Sequence, residues 1–361
     1  MSGLSLLGLT LVLATGGCGG KAGDGTDGTN GTDVSRPSSG GGASKPRFVL
    51  VTNSVSDYWT AAEKGMREAA DKLGVEVEMK RNNDATTESQ IRLLDEALSA
   101  TDVKGVAVSV VEAGAPGIAD AMNKLKKAGK PVITVDSDVE SAAADARRAY
   151  IGTNNTKAGE VAGKAAATIR PQGGTVVVFV GTASASNAIE RRDGFYAGAG
   201  PKFVKPPLET FEDGADMNRA QTFAQTAITK HPDAGTFLGL YSYNGPRIAE
   251  EVSKVPDFRK KTTIVTFDLD EQAIDHLDRG NIDVTVVQNP YEIGYQAVRM
   301  LKAMSQEDKK TLDEMLPNGA TSMDTGVRVI VPTEESPVKG DNVLTIKAMK
   351  EWLAAKGLKS S

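Results

Sequence analysis

Residues 131–138 read PVITVDSD: a run of Val, Ile and Thr, then an aspartate, a serine and a second aspartate. A short β-branched stretch without polar interruption marks a strand buried on both faces. Gly129 stands at the end of the helix expected over 117–128, where a left-handed residue terminates the turn. The same unit recurs outward in both directions. Arg47–Asn53 (RFVLVTN), Gly105–Val111 (GVAVSVV), Gly174–Val180 (GTVVVFV) and Thr263–Phe267 (TIVTF) read as strands, and helical stretches over 57–73, 187–199 and 272–278 follow three of them. Further strands are expected over 75–80, 150–152, 203–210, 235–240, 284–287 and 326–331, and helices over 85–99, 155–169, 215–230, 245–252 and 290–304. Strand–helix alternation with short connections gives a parallel sheet covered on both faces. The pattern runs through once and restarts near residue 155. The expected fold is therefore α/β: two doubly wound, Rossmann-like lobes joined by a hinge. The first lobe is assigned to 46–153 plus 289–318, the second to 154–288 plus 319–345, and 346–361 to a C-terminal helical tail.

Composition narrows the function. The 361 residues carry 42 Lys and Arg against 47 Asp and Glu, a net charge of −5. The basic residues form no block, so nucleic acid is not an expected partner. Two histidines, His231 and His276, and one cysteine cannot build a Cys/His metal site. A His-dependent triad is disfavoured on the same inventory.

The N-terminus carries an address. Leu4–Ala14 is apolar, the length of a signal-peptide core and too short to cross a membrane. Thr15-Gly16-Gly17 then leads into Cys18, the only cysteine. This resembles a bacterial lipoprotein signal, which implies cleavage after residue 17 and a lipid on Cys18; the alternative is an ordinary cleaved signal with an incidental cysteine. Residues 19–45 contain 9 glycines among 27 positions and almost no apolar side chain, the composition of a disordered tether. A Gly-rich coil of that length spans on the order of 30 Å.

In two consecutive α/β lobes, ligands bind in the crevice at the carboxyl ends of the strands. The residues there are Ser56, Tyr58 and Trp59 after the first strand, Asp136 and Ser137 after PVITV, and Arg191 beyond Val180. Tyr241 and Asn244 follow Leu240, Asp268 follows Phe267, and Gln288 follows Val287. Aromatic faces suit the C–H face of a sugar ring, and a carboxylate accepts from two adjacent hydroxyls. Each has a plainer role available: hydrophobic capping of the first helix for the aromatic pair, a helix cap or loop acid for Asp136, a solvated helix face for one of Arg191 and Arg192.

Taken in order, Tyr58-Trp59, PVITVDSD, YIGTNNTKAGEVAG, IERRDGF, the HPD turn at His231, VTFD and VTVVQNPYEIG are similar to the periplasmic sugar-binding proteins of the ribose-binding type, the type I periplasmic binding protein fold, over about four-fifths of the chain. The resemblance implies a monosaccharide ligand, pentose or hexose, no cofactor and no catalysis. It implies that Tyr58 and Trp59 stack on the sugar, that Asp136 and Asp268 are the acids of the two lobes, that Arg191 is the second-lobe guanidinium, and that Gln288 is the amide beside the hinge. Ser56 and Ser137 stand where ribose binders carry Asn and Arg, which argues against plain ribose. An ABC importer permease is the implied partner, with membrane attachment through the lipid alone, a periplasmic or cell-surface location and a monomeric state. The alternative is a sensing receptor of the same fold. A nicotinamide enzyme is disfavoured, because the turn Asn53-Ser54-Val55-Ser56-Asp57 has no glycine to admit a pyrophosphate.

Overall fold

The computed structural model describes residues 45–361. The signal peptide, Cys18 and all but the last residue of the tether lie outside the described residues. The chain runs β1 (Arg47–Val51), α1 (Asp57–Leu73), β2 (Glu76–Lys80), α2 (Thr87–Ser99), β3 (Val103–Val108), α3 (Pro116–Lys127), β4 (Val132–Val135) and β5 (Tyr150–Gly152). It crosses to the second lobe with α4 (Asn155–Ile169), β6 (Val176–Val180), α5 (Ser186–Ala199), β7 (Glu209–Glu212), α6 (Met217–Lys230), β8 (Thr236–Gly239), α7 (Asn244–Ser253), α8 (Pro256–Arg259), β9 (Thr263–Phe267), α9 (Glu271–Asp278) and β10 (Val284–Val287). It returns with α10 (Pro290–Ser305), α11 (Lys309–Met315) and β11 (Ser322–Asp324), and ends in the second lobe with β12 (Arg328–Val331), β13 (Val343–Thr345) and α12 (Ile346–Lys356).

The sheets are ordered β2-β1-β3-β4-β5-β11 and β7-β6-β8-β9-β10-β12-β13. Both share the 2-1-3-4-5 order of the doubly wound folds. Alternation along each strand feeds two cores per lobe. Phe48 and Leu50 face the α1/α10 side of the first sheet, while Val49 and Val51 face the α2/α3 side. In the second lobe Val177 and Phe179 pack on one face, and Val176, Val178 and Val180 on the other.

Three segments cross between lobes, at residues 153–154, 288–289 and 325–327. The third differs from the sequence assignment. β11 pairs in parallel with β5, Met323 beside Ile151, so 319–324 belongs with the first lobe and not the second. That strand is only three residues long, with two of them exposed, and its apolar content gives no signal. Nor is 346–361 a separate tail: Ile346, Met349 and Leu353 of α12 are buried in the second lobe's core. The strand expected over 203–210 forms only at Glu209–Glu212, Phe203 making a single bridge to Gly174. Pro206 and Pro207 lie between them and have no N–H to give to a ladder. The helix expected from residue 215 begins at Met217, where Asp216 caps it by accepting from the amides of Asn218 and Arg219.

Glycine decides how the helices flanking the cleft pack. A Cβ on Gly159 or Gly163 of α4 would lie 2.3 Å from Arg191 O or 2.0 Å from Phe195 O of α5. Reciprocally, Gly194 and Gly198 face Thr156 O and Glu160 O at 2.2 and 2.0 Å. α1 and α10 repeat the arrangement through Gly65 against Tyr291 O and Gly294 against Ala62 O. Helix propensity alone predicts that Gly194→Ala stabilises by about 1 kcal/mol. Backbone contact predicts the opposite sign, a loss of ~2 kcal/mol or more through forced separation of α4 and α5. A denaturant melt of Gly194→Ala decides between them, and a loss is expected.

Candidate functional site

Asp136 and Asp268 hold equivalent places. Each follows the fourth strand of its lobe, and each adopts a left-handed backbone, φ 60° and 62°. For a non-glycine residue that conformation costs of order 1–3 kcal/mol and is held by its surroundings. Here the surroundings match: the Tyr150 hydroxyl donates to Asp136 O and the Thr285 hydroxyl to Asp268 O, both at 2.9 Å. The turn directs both carboxylates into the cleft, where Asp136 is 8% and Asp268 5% exposed.

The Asp136 carboxylate accepts from Ser109 Oγ at 2.9 Å and from Asn53 Nδ2 at 3.4 Å. That of Asp268 accepts from Gln288 Nε2, at 3.1 Å to each oxygen, and from the Gln288 amide at 3.3 Å. Burial pushes both carboxyls above the usual carboxylate range; the Ser109 hydrogen bond and the Arg191 charge oppose it at Asp136, and the Arg191 charge and Gln288 at Asp268. Arg191 is 1% exposed. Its Nε donates to Asn155 Oδ1 at 3.0 Å and its Nη1 to Leu240 O at 2.8 Å. Its guanidinium lies 4.8 Å from the Phe267 ring centre and 4.0 Å from Asp268. This charge on the second lobe reaches Asp136 and Tyr58 on the first.

The aromatic pair divides. The Tyr58 hydroxyl is buried within the fields of Asp136, Asp268 and Arg191 but has no hydrogen bond of normal geometry. Trp59 packs among the side chains of the first lobe's core, its ring edge-on to Tyr58 at 5.1 Å between centres. Trp59 therefore packs beside Tyr58 within that core. Ser56 is the N-cap of α1 but makes no side-chain cap bond, and Ser137 sits half-buried in the cleft wall. Tyr241 donates to Asn187 Oδ1 at 3.0 Å and lies within reach of both the Arg191 and Asp136 charges. Asn244 is spent on structure: Oδ1 receives the Tyr241 amide at 3.0 Å and Nδ2 donates to Asp213 at 2.9 Å. Gln288 leaves Oε1 buried and without a partner.

Several residues here were not among the sequence candidates. Ser109 and Asp213 each follow a strand, β3 and β7, and the strand-end rule selects them once the strands stop at Val108 and Glu212. Asp213 is 1% exposed and accepts from Tyr243 Oη at 2.6 Å. Asn155, which opens α4 at the first crossing between lobes, also holds Arg191. Beside the acids a crevice of about 330 Å³ opens between the lobes, sharing Asp136 and Asn155 with them. Among the described residues no group of three or more His, Cys, Asp or Glu is placed to hold a metal ion, and no helix is long and apolar enough to cross a membrane.

Residues 48–310 match the model of the periplasmic binding protein domain, and the chain belongs to that family. It is 23% identical over 262 residues to the ribose import binding protein of Bacillus subtilis (strain 168), covering 72% of this chain and 82% of that one. Among solved structures, the glucose-galactose binding protein GanP from Geobacillus stearothermophilus is 29% identical, with a TM-score of 0.70, over 81% of this chain and 99% of that one. An ABC transporter solute-binding protein from Burkholderia graminis C4D1M, solved with D-arabinose, is 25% identical with a TM-score of 0.72, over 80% and 96%. The two-lobed α/β fold is that of the type I periplasmic binding proteins. The family is a class of solute-binding proteins, not of enzymes, that work in the periplasm or outside the cell.

At the rim of the cleft, Asp270 caps α9 by accepting from the Ala273 amide at 2.7 Å. Burial, with Asp57 of α1 adding a like charge, raises its pKa from 3.8 to about 6. The folded state then holds a proton that the unfolded chain has lost between those values, so stability falls as pH rises from about 4 to 6. Asp270→Asn keeps a capping acceptor and removes the charge. It is expected to raise stability at pH 7 by ~2 kcal/mol, with no gain left at pH 4, as read from urea melts at the two pH values.

Proposed function

We propose that this chain is the membrane-tethered sugar-capturing component of an ABC importer, and that its two lobes close over one sugar in the cleft around Asp136, Arg191 and Asp268. The observation that carries the reading is the unmet hydrogen-bonding demand between the lobes. Two buried carboxylates resist being charged, Gln288 Oε1 is buried without a partner, and Tyr58 Oη, turned toward Asp136, makes no hydrogen bond of normal geometry. Leaving such groups unmet costs about 1–3 kcal/mol each. A neutral polyhydroxy ligand supplies what is missing: hydroxyl donors for the acids and the amide oxygen, and a hydroxyl oxygen for Arg191. No bond is made or broken in such a cycle. The sugar docks on one lobe, and its free hydroxyls then favour the closed arrangement by contacts that the open one lacks.

In this reading Ser56 and Ser137 give the first-lobe wall short hydroxyls, Tyr241 lines the second-lobe wall, and Trp59 and Asn244 stiffen the site from behind. The closed surface is offered to the permease, and the lipid on Cys18 with the tether behind it keeps the folded part near that partner.

Binding of D-galactose, D-glucose, D-arabinose and D-ribose, measured by calorimetry, tests the site. For the sugar that binds, Asp136→Ala and Asp268→Ala each are expected to lose about 10- to 100-fold in affinity, the value of a charge-assisted hydrogen bond. Tyr58→Phe separates function from stability. It removes a hydroxyl that makes no well-formed hydrogen bond, so the empty protein roughly keeps its melting temperature while affinity falls roughly three- to tenfold. Unchanged affinity in all three variants refutes the site.

The anchor is tested separately by growth with labelled palmitate: the wild-type chain takes up label and Cys18→Ser does not. Label persisting in Cys18→Ser removes the lipid anchor from the proposal.

A further inference from the structure

A crevice opens beside the acids, outside the group of Tyr58, Arg191, Asp268 and Gln288 that frames the sugar site. Its roughly 330 Å³ lie between the hinge-side edge of the first lobe, with Ser137, Tyr150, Ser322 and Met323, and the start of α5 in the second, with Ser186 and Asn187. It is not a separate cavity, because Asp136 and Asn155 form part of its wall and of the sugar site alike. The volume is at the lower end of the range for small-molecule sites, roughly 300–1,000 Å³.

Its chemistry is that of neutral hydroxyl recognition. Two of its acids are committed, and Glu190, also in the wall, is pushed toward its neutral form by burial. Asp138 is held by Arg147 and by Thr134 Oγ1 at 2.6 Å. Asp324 receives the amides of Asn154 and Gly326 at 3.1 and 3.0 Å. What remains is a set of serine hydroxyls, the Glu190 carboxyl and the Asn187 amide, whose oxygen alone is engaged, by Tyr241. Thr153 lies in the same wall, 2% exposed, and its hydroxyl is buried with no partner. A buried unmet hydroxyl in a polar wall is a group awaiting a ligand or a water. Met323 and Tyr150 add the apolar surface that the C–H face of a sugar ring covers.

We propose that this crevice is a subsite for a second sugar residue, so that the ligand is a disaccharide or other glycoside with one ring between Asp136 and Asp268 and the next against Thr153 and Asn187. The inference rests on the sugar-binding reading above. It places the glycosidic linkage beside Asp136 and Asn155, where the two spaces meet. Residues of both lobes flank the second ring, so it adds to the contacts that favour closure.

Calorimetry with D-galactose and D-glucose against lactose, melibiose, maltose and cellobiose tests it, with Ser186→Trp and Ser322→Trp as variants that fill the crevice from opposite lobes. At least one disaccharide is expected to bind tenfold or more tightly than its free component sugars. Either tryptophan is expected to abolish that gain while leaving the component sugar within twofold of wild type. Thermal melts of both variants establish that they fold, and two positions on different lobes guard against loss of one. Disaccharides that bind no better than their components, or a gain that survives both tryptophans, overturn the subsite and leave the monosaccharide reading standing. Absence of binding by any sugar of either size overturns the sugar reading itself, and the subsite with it.

Discussion

The cleft depends on helices that touch through their backbones. α4 brings Asn155 to the site at its first residue, and α5 carries Arg191 halfway along its length. The distance between those two residues, and so the hydrogen bond from Arg191 Nε to Asn155, is set where Gly159 and Gly163 meet Gly194 and Gly198. No side chain larger than a hydrogen fits between them. In the first lobe α1 presents Tyr58 and α10 follows directly on Gln288, and Gly65 and Gly294 fix that pair the same way. Glycine in a helix costs propensity of roughly 1 kcal/mol per position. The chain accepts that cost six times over, at the two helix pairs that flank the cleft.

The correspondence between lobes extends to the acids. A strand alternates its side chains between faces, and a residue continuing β4 or β9 in extended form would be directed into a core. The left-handed turn at Asp136 and at Asp268 breaks the alternation and sends the carboxylate along the strand axis into the crevice. Aspartate tolerates that conformation better than most residues, because its short polar side chain competes for local hydrogen bonds. Strain at the backbone, burial of the charge and a hydroxyl clamp on the carbonyl coincide at two places related by the internal repeat. Structure alone needs none of the three there.

How far the sequence could be read follows the same physics. Parallel strands buried on both faces announce themselves as β-branched runs, and Thr263–Phe267 and Val284–Val287 fall where the pattern puts them. Family and fold were legible from such runs and from the order of strand-end residues. Elements that bury little were not: β11 shows no apolar alternation, and α11 hides in a charged stretch. The site suffered where a strand was read too long. Extending β3 through Val111 concealed Ser109, and shifting β7 toward residue 203 concealed Asp213. Adjacent residues on a helix diverge by about 100°, so nearness in sequence does not by itself put both Tyr58 and Trp59 on the cleft face.

Closure without a ligand has several terms against it and few for it. Asp136 and Asp268 are driven toward protonation by the loss of water, and Tyr58, Gln288 and Thr153 each leave a polar atom unmet. At the rim, Asp57 and Asp270 add like charge. Opening relieves these by hydration, since water fills whatever hydrogen bonds the protein does not. In the proposed reading a sugar reverses the sign by bringing the donors and acceptors with it, so the shift between states is driven by its differential contacts alone. The hinge need only be neutral. Asp324 ties the first crossing to the third by accepting from both Asn154 and Gly326, while the Thr325 amide donates to Gly152 O at 2.8 Å. Those bonds lie among residues 152–154 and 324–326, tying two of the three crossings together. In the proposed cycle a rotation at these crossings keeps such local bonds while the contacts across the cleft are gained or lost.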